Sequence, residues 1–144
     1  EQPTEPSKPD EGETTLVNVA KGKTASTSGT ETDAMAAANA FDGDTGTRWS
    51  SNFADDAWIA VDLGKTYAVS KVVLNWEGAY GEAYKIQTST DGKNWTTVKD
   101  VTGKNGGIDT ITFNTVNARY VRMQGVKRGL PYGYSLWEMK VYGK

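Results

Sequence analysis

Ala83-Tyr84-Lys85-Ile86-Gln87-Thr88-Ser89, then Thr90-Asp91-Gly92-Lys93-Asn94, then Trp95-Thr96-Thr97-Val98 is the stretch whose reading decides the fold. It reads as a β-strand, a turn built on Asp91-Gly92, and a returning strand: a hairpin. The same rhythm extends in both directions. Upstream, Ile59, Val61 and Leu63 alternate with Trp58, Ala60 and Asp62 before Gly64-Lys65 closes the run, and Val69 to Trp76 is a mostly apolar strand. Downstream come Thr110 to Phe113, Arg119 to Gln124 and Leu136 to Tyr142. The single helix-like piece, Asp33 to Ala40, is Ala-rich but too short to stand alone. Without crossover helices a parallel α/β fold is excluded. No internal repeat of about 20 to 50 residues suggests a solenoid or propeller. The expectation is all-β: an antiparallel β-sandwich of about eight strands, with function carried on its loops.

Composition narrows the function. The 144 residues suit one domain with a real core. A formal charge of -2 and a pI of about 5.2 argue against a nucleic-acid surface, and no basic run suggests an anionic membrane. Neither a membrane-length apolar run nor a signal-peptide pattern at Glu1 is visible. With no histidine and no cysteine, the chain cannot itself supply a Ser-His-Asp or Cys-His nucleophile system, the usual zinc ligands or a disulfide. Any metal is expected to be oxygen-ligated. Residues 1–15 differ from the rest: Glu1 to Thr14 hold three of the four prolines and five acidic residues, with nothing large and apolar. They read as a flexible linker before a module at 16–144, as if the module belonged to a larger protein.

Asn39-Ala-Phe-Asp-Gly-Asp-Thr-Gly-Thr-Arg-Trp-Ser-Ser51 concentrates candidate chemistry. Asp42, Asp44 and Thr47 have the spacing to wrap a hard cation with oxygens, whereas Arg48 and Trp49 can face a ligand, the arginine as a planar fork of donors. An ordinary Asx-turn loop is the third reading. Elsewhere, Phe53, Tyr132 and Tyr134 are loop aromatics, and Pro131 and Gly133 hold Tyr132 rigidly near the surface. Glu77 emerges where the strand ending at Trp76 reaches the rim, and Glu31 lies in a loop that a sandwich can bring to the same end as Arg48. Trp49, Trp58, Trp95 and Trp137 are read as structural. Five Trp and seven Tyr supply flat faces suited to sugar rings. Carboxylate pairs can also serve a glycosidase, but a sandwich this small rarely offers the cleft, so no enzymatic activity is expected.

Six ordered motifs carry a family resemblance. They are Asn18-Val-Ala-Lys-Gly-Lys23, Ala40-Phe-Asp-Gly-Asp44 with Thr47-Arg-Trp49, Trp58-Ile-Ala-Val-Asp-Leu-Gly64, Ser89-Thr-Asp-Gly-Lys-Asn-Trp95, Ala118-Arg-Tyr-Val-Arg122, and Tyr132-Gly-Tyr-Ser-Leu-Trp-Glu138. The chain resembles the discoidin or coagulation-factor C-type domains, specifically the family 32 carbohydrate-binding modules of bacterial glycan-active enzymes. That resemblance implies a jelly-roll sandwich, a non-catalytic role, and a structural Ca2+ held by the carbonyls of Asn39 and Asp44, by Asp42 and Thr47, and by Glu138. It also implies a sugar site at Glu31, Arg48, Phe53, Glu77 and Tyr132, on a secreted, monomeric module appended to a glycoside hydrolase. The subgroup with Trp76-Glu-Gly-Ala-Tyr80 occurs beside mannanases, β-glucanases, chitosanases and agarases. Galactose-binding members commonly use a histidine, which is absent here. Gluco- or manno-configured β-glycans therefore rank first and chitosan next as polysaccharide ligands, with a membrane- or protein-binding discoidin-type domain as the alternative.

Overall fold

The computed structural model describes residues 16–144, so the expected linker at 1–15 lies outside the described residues. Eight antiparallel strands form the fold: β1 (Val17–Asn18), β2 (Thr24–Thr27), β3 (Trp49–Ser50), β4 (Trp58–Trp76), β5 (Gly81–Ser89), β6 (Thr96–Val101), β7 (Ile108–Arg128) and β8 (Ser135–Gly143). Hydrogen bonding runs in the order β1-β8-β4-β7-β5-β6, with β2 added on β4 and β3 on β8.

Two pairs of expected strands are single long ones. Trp58–Leu63 and Val69–Trp76 are halves of β4, and the runs at Thr110 and Arg119 are halves of β7. The first half of β4 pairs with β2 and the second with β8, while β7 follows it throughout. Gly64, at φ 88°, marks a corner and not a chain reversal, and β4 and β7 join the two layers of the sandwich there. At Val69/Lys71 β4 carries one residue more than its partner β8, which exchanges the faces. Ile59, Val61, Leu63 and Val69 are buried before it, Val72, Leu74 and Trp76 after it. One extra residue has moved the core-facing positions from odd to even, as a β-bulge does. All seven belong to one apolar cluster.

The structure departs from the sequence expectations in three further places. The helix-like segment is helical only from Ala37, in a 3-10 turn (Ala37–Phe41) that runs one residue past it. The hairpin loop is longer than a two-residue turn, since Thr88 pairs with Thr96. Asp91 organises it by accepting from the backbone N–H groups of Lys93 and Asn94, both at 2.8 Å, from Asn94 Nδ2 at 2.7 Å and from Ser89 Oγ at 2.9 Å. Tyr134, read as a loop aromatic, is fully buried against Trp76 at 6.1 Å between ring centroids. Its hydroxyl donates to the Asp55 carbonyl at 2.6 Å.

The donors around Asp91 hold its carboxyl well below the ordinary carboxylate range, led by the Asn94 and Lys93 N–H groups. A depressed folded pKa adds stability above the unfolded value of about 3.9, and that stability is lost as pH falls through the folded value. Asp91→Ala is therefore expected to lower Tm at pH 7 and to converge on the parent in strong acid; a Tm difference independent of pH would contradict this role.

Candidate functional site

The pairing of β3 with β8 builds the site. Trp49 opposes Leu136 and Ser50 opposes Ser135. Trp49 is fully buried, so it belongs to the core and not to a ligand surface, and its neighbour Arg48 is left at the rim. The two facing serines organise three charges. Ser50 Oγ donates to Glu31 Oε1 at 2.8 Å, and Glu31 N donates to the Ser50 carbonyl at 2.8 Å. Arg48 Nη1 donates to Ser135 Oγ at 2.6 Å, and Glu77 N donates to the Ser135 carbonyl at 2.9 Å. Arg48 Nη1 stands 3.9 Å from Glu77 Oε1, which also accepts from Ala79 N at 3.2 Å.

Glu31, Arg48, Glu77 and Tyr132 line one cleft of about 330 Å³. Ser50, Gly78, Ala79, Leu130 and Gly133 complete it. Burial opposes the charge of Glu77, but the N–H groups of Ala79 and Gly78, then Arg48 and Ser135, outweigh it and hold the carboxyl below its ordinary range. Tyr132 and Phe53 are each 57% exposed and meet edge to face, 6.4 Å between centroids at 79°. Phe53 thus borders the cleft through Tyr132. All five expected sugar-site residues lie at one end of the sandwich. Ser50 and Ser135 were not singled out from the sequence; a serine inside an apolar strand end was the available signal.

The expected metal ligands come together as well. Thr47 Oγ1 bonds to Asp42 Oδ2 and lies 3.1 Å from the Asp44 carbonyl and 3.5 Å from the Asn39 carbonyl. One hydroxyl proton cannot serve three acceptors, so the cluster has oxygen lone pairs in excess. Glu138 reaches the same loop from β8: its Oε2 accepts from Gly43 N at 3.2 Å, while Oε1 is buried without a partner. Burial pushes its pKa up to about 7, the Gly43 N–H opposing and the Asp42 charge adding to the rise. Among the described residues no three His, Cys, Asp or Glu side chains gather into a metal-binding group. The donors here are two carboxylates, two carbonyls and a hydroxyl, a set that fits a hard cation. Asn39 Nδ2 donates to the Arg48 carbonyl at 3.1 Å and ties this loop to the cleft.

A discoidin-type sandwich with a polar, aromatic-rimmed cleft at its loop end is the class that fold and site define. The family model described as a NedA-like, galactose-binding domain of the F5/F8 type C group matches residues 39–123, and the chain belongs to that family. It is similar to chitosan-binding module 1 of a chitosanase/glucanase from Paenibacillus sp. IK-5, with 50% identity, TM-score 0.85, and coverage of 88% of this chain and 99% of that one. Module 2 of the same enzyme, solved with chitotriose, is 46% identical, with TM-score 0.85 and coverage of 88% and 100%. Among sequences, it is 40% identical over 92 residues to the polysaccharide lyase 8 family protein HylA of Enterococcus faecalis, a stretch covering 61% of this chain. The match spans 7% of the length of that relative.

The approach of the Tyr132 loop to β3 leaves no room for a side chain at Gly133, where a Cβ would lie 2.1 Å from the Ser51 carbonyl oxygen. Gly133→Ala is expected to cost about 1–3 kcal/mol, read as a lower Tm, and to displace Tyr132 from the cleft. Unchanged thermal melting would show that the loop yields.

Proposed function

We propose that this domain is a non-catalytic carbohydrate-binding module, and that its cleft takes the end of a glycan chain bearing glucosamine, as in chitosan. The observation carrying this reading is the charge balance of one small cleft: two carboxylates, Glu31 and Glu77, against one arginine, Arg48. Two anions and a cation leave an excess that suits an ammonium group. Arg48 would donate to a ring or hydroxyl oxygen, and Tyr132 with Phe53 would offer apolar faces to the sugar. Similarity to two chitosan-binding modules supports ranking chitosan above the neutral β-glucans and β-mannans. Matches to modules of a chitosanase/glucanase and to a short stretch of a polysaccharide lyase support attachment to a glycan-active enzyme.

Calorimetric titration with glucosamine, β-mannan and β-glucan oligosaccharides tests the reading. The glucosamine series is expected to bind, and Glu77→Gln to weaken it at least about tenfold, the equivalent of about 1.4 kcal/mol. An amine of this kind deprotonates near the α-amino range of about 8. Affinity should therefore be greater in mild acid, with Glu77 still ionised, than in mild alkali. Stronger binding of a neutral oligosaccharide would transfer the site to that glycan. Exposed Phe53, Tyr132 and Leu130 also make liposome co-sedimentation informative, since binding to vesicles would favour a membrane-binding discoidin domain instead.

The loop from Asn39 to Thr47, with Glu138, is read as a structural calcium site. Calcium would supply the positive charge that its crowded oxygens lack. A ligand held by the folded state alone adds stability, about 2.7 kcal/mol at a hundredfold excess over Kd. A chelator is expected to lower Tm, and Asp42→Ala to abolish that response and to weaken glucosamine binding through the Asn39–Arg48 link. A Tm indifferent to chelator, with no calcium found by elemental analysis, would remove the ion from the scheme.

A further inference from the structure

A second concavity lies on the outer face of the β2-β4-β7-β5 layer and shares no lining residue with the loop cleft. Strand register explains it. Ser26, Ala60, Arg122 and Gln87 follow one another across the four strands, so the small Ala60 lies between larger neighbours. Trp58, on β4, and Trp95, which the Asp91 loop carries back over the sheet, form walls around a groove of about 230 Å³. These two indoles were expected to be structural, yet both are only half-buried.

Arg122 sits between them, its guanidinium carbon 4.2 Å from the Trp95 ring centroid and 5.6 Å from that of Trp58. Its Nε and Nη2 both donate to one neutral acceptor, Gln87 Oε1, at 2.9 and 2.7 Å. Among the described residues it forms no salt bridge; Asp62, which also lines the groove, is neutralised by Arg119 at 2.9 and 3.1 Å. Burial lowers the Arg122 pKa, with no anion opposing that shift. Two aromatic faces and a half-buried cation lacking a carboxylate are complementary to a ring that carries its own carboxylate.

We propose that the Trp58–Arg122–Trp95 groove is a second carbohydrate site, specific for a hexuronate residue of an acidic glycan. The carboxylate would pair with the Arg122 guanidinium and the pyranose ring would lie against an indole. This site does not depend on the glucosamine reading of the loop cleft.

The test follows the indole N–H signals of Trp58 and Trp95 by NMR in the full chain. The probes are galacturonate and β-linked glucuronate trisaccharides, with galactotriose and acetate as controls. Saturable shifts with at least one uronate are expected, at least about tenfold weaker with galactotriose and absent with acetate. Arg122→Gln should abolish them while leaving glucosamine binding at the loop cleft intact. Should that variant melt early, Arg122→Lys retains the charge but loses the planar fork, and its uronate affinity should fall. No shift with either uronate, equal shifts with acetate, or undiminished binding by the arginine variants would overturn the proposal.

Discussion

The site depends on one close backbone contact. Ser51 N donates to the Tyr134 carbonyl, and Tyr134 N donates to Ser51 Oγ, each at 2.8 Å. Gly133 lacks the atom that would keep the two chains apart. These bonds continue the β3–β8 ladder by one step past Ser50 and Ser135. They bring two loops distant in sequence to a common rim, one leading from the Asp42 turn through Arg48 and the other carrying Tyr132. Without that approach, the charges of Glu31, Arg48 and Glu77 would belong to separate surfaces.

The contact is anchored from beneath. Tyr134 can turn its ring into the core because Gly81 and Gly125 leave space for it; a Cβ at those positions would lie 3.1 and 2.5 Å from the ring. Trp76 packs alongside, and its indole N–H donates to the buried Asp109 at 2.9 Å, as Tyr84 does at 2.6 Å. A buried carboxylate with two neutral donors is satisfied locally. The strand end that presents Glu77 is therefore held by both apolar packing and a polar network. Rigidity of this kind limits the ordering cost that a shallow site would otherwise incur on binding.

Strand positions were legible because half-buried sheets leave an alternating record, and the hairpin was legible from Asp91-Gly92. The strand halves joined at Gly64 were not, since a positive-φ glycine serves a corner as readily as a reversal. Tyr134 is buried where its local sequence suggests a loop, for a related reason. Its Gly-Tyr-Ser setting has loop chemistry, and the glycines that make room for it lie about 10 and 50 residues away in sequence. All five expected cleft residues reached one end of the fold because each occupied a loop or strand terminus. The serines that orient them escaped notice, since their partners are fixed by cross-strand register and not by any local pattern.

That register also explains why the cleft's opposite charges do not simply neutralise one another. Arg48 is engaged at 2.6 Å by Ser135 and stands back from Glu77 at 3.9 Å. A guanidinium free to move would approach the carboxylate directly and use up its lone pairs. Held by a neutral hydroxyl, it favours the ionised form of Glu77 while leaving acceptor capacity open. Glu31, held by Ser50 on the facing strand, keeps its second oxygen outside that bond. Ser135 thus leaves Arg48 and Glu77 as a long rim ion pair of small energetic value and not a direct hydrogen-bonded one, and the carboxylates of the cleft keep open acceptor positions.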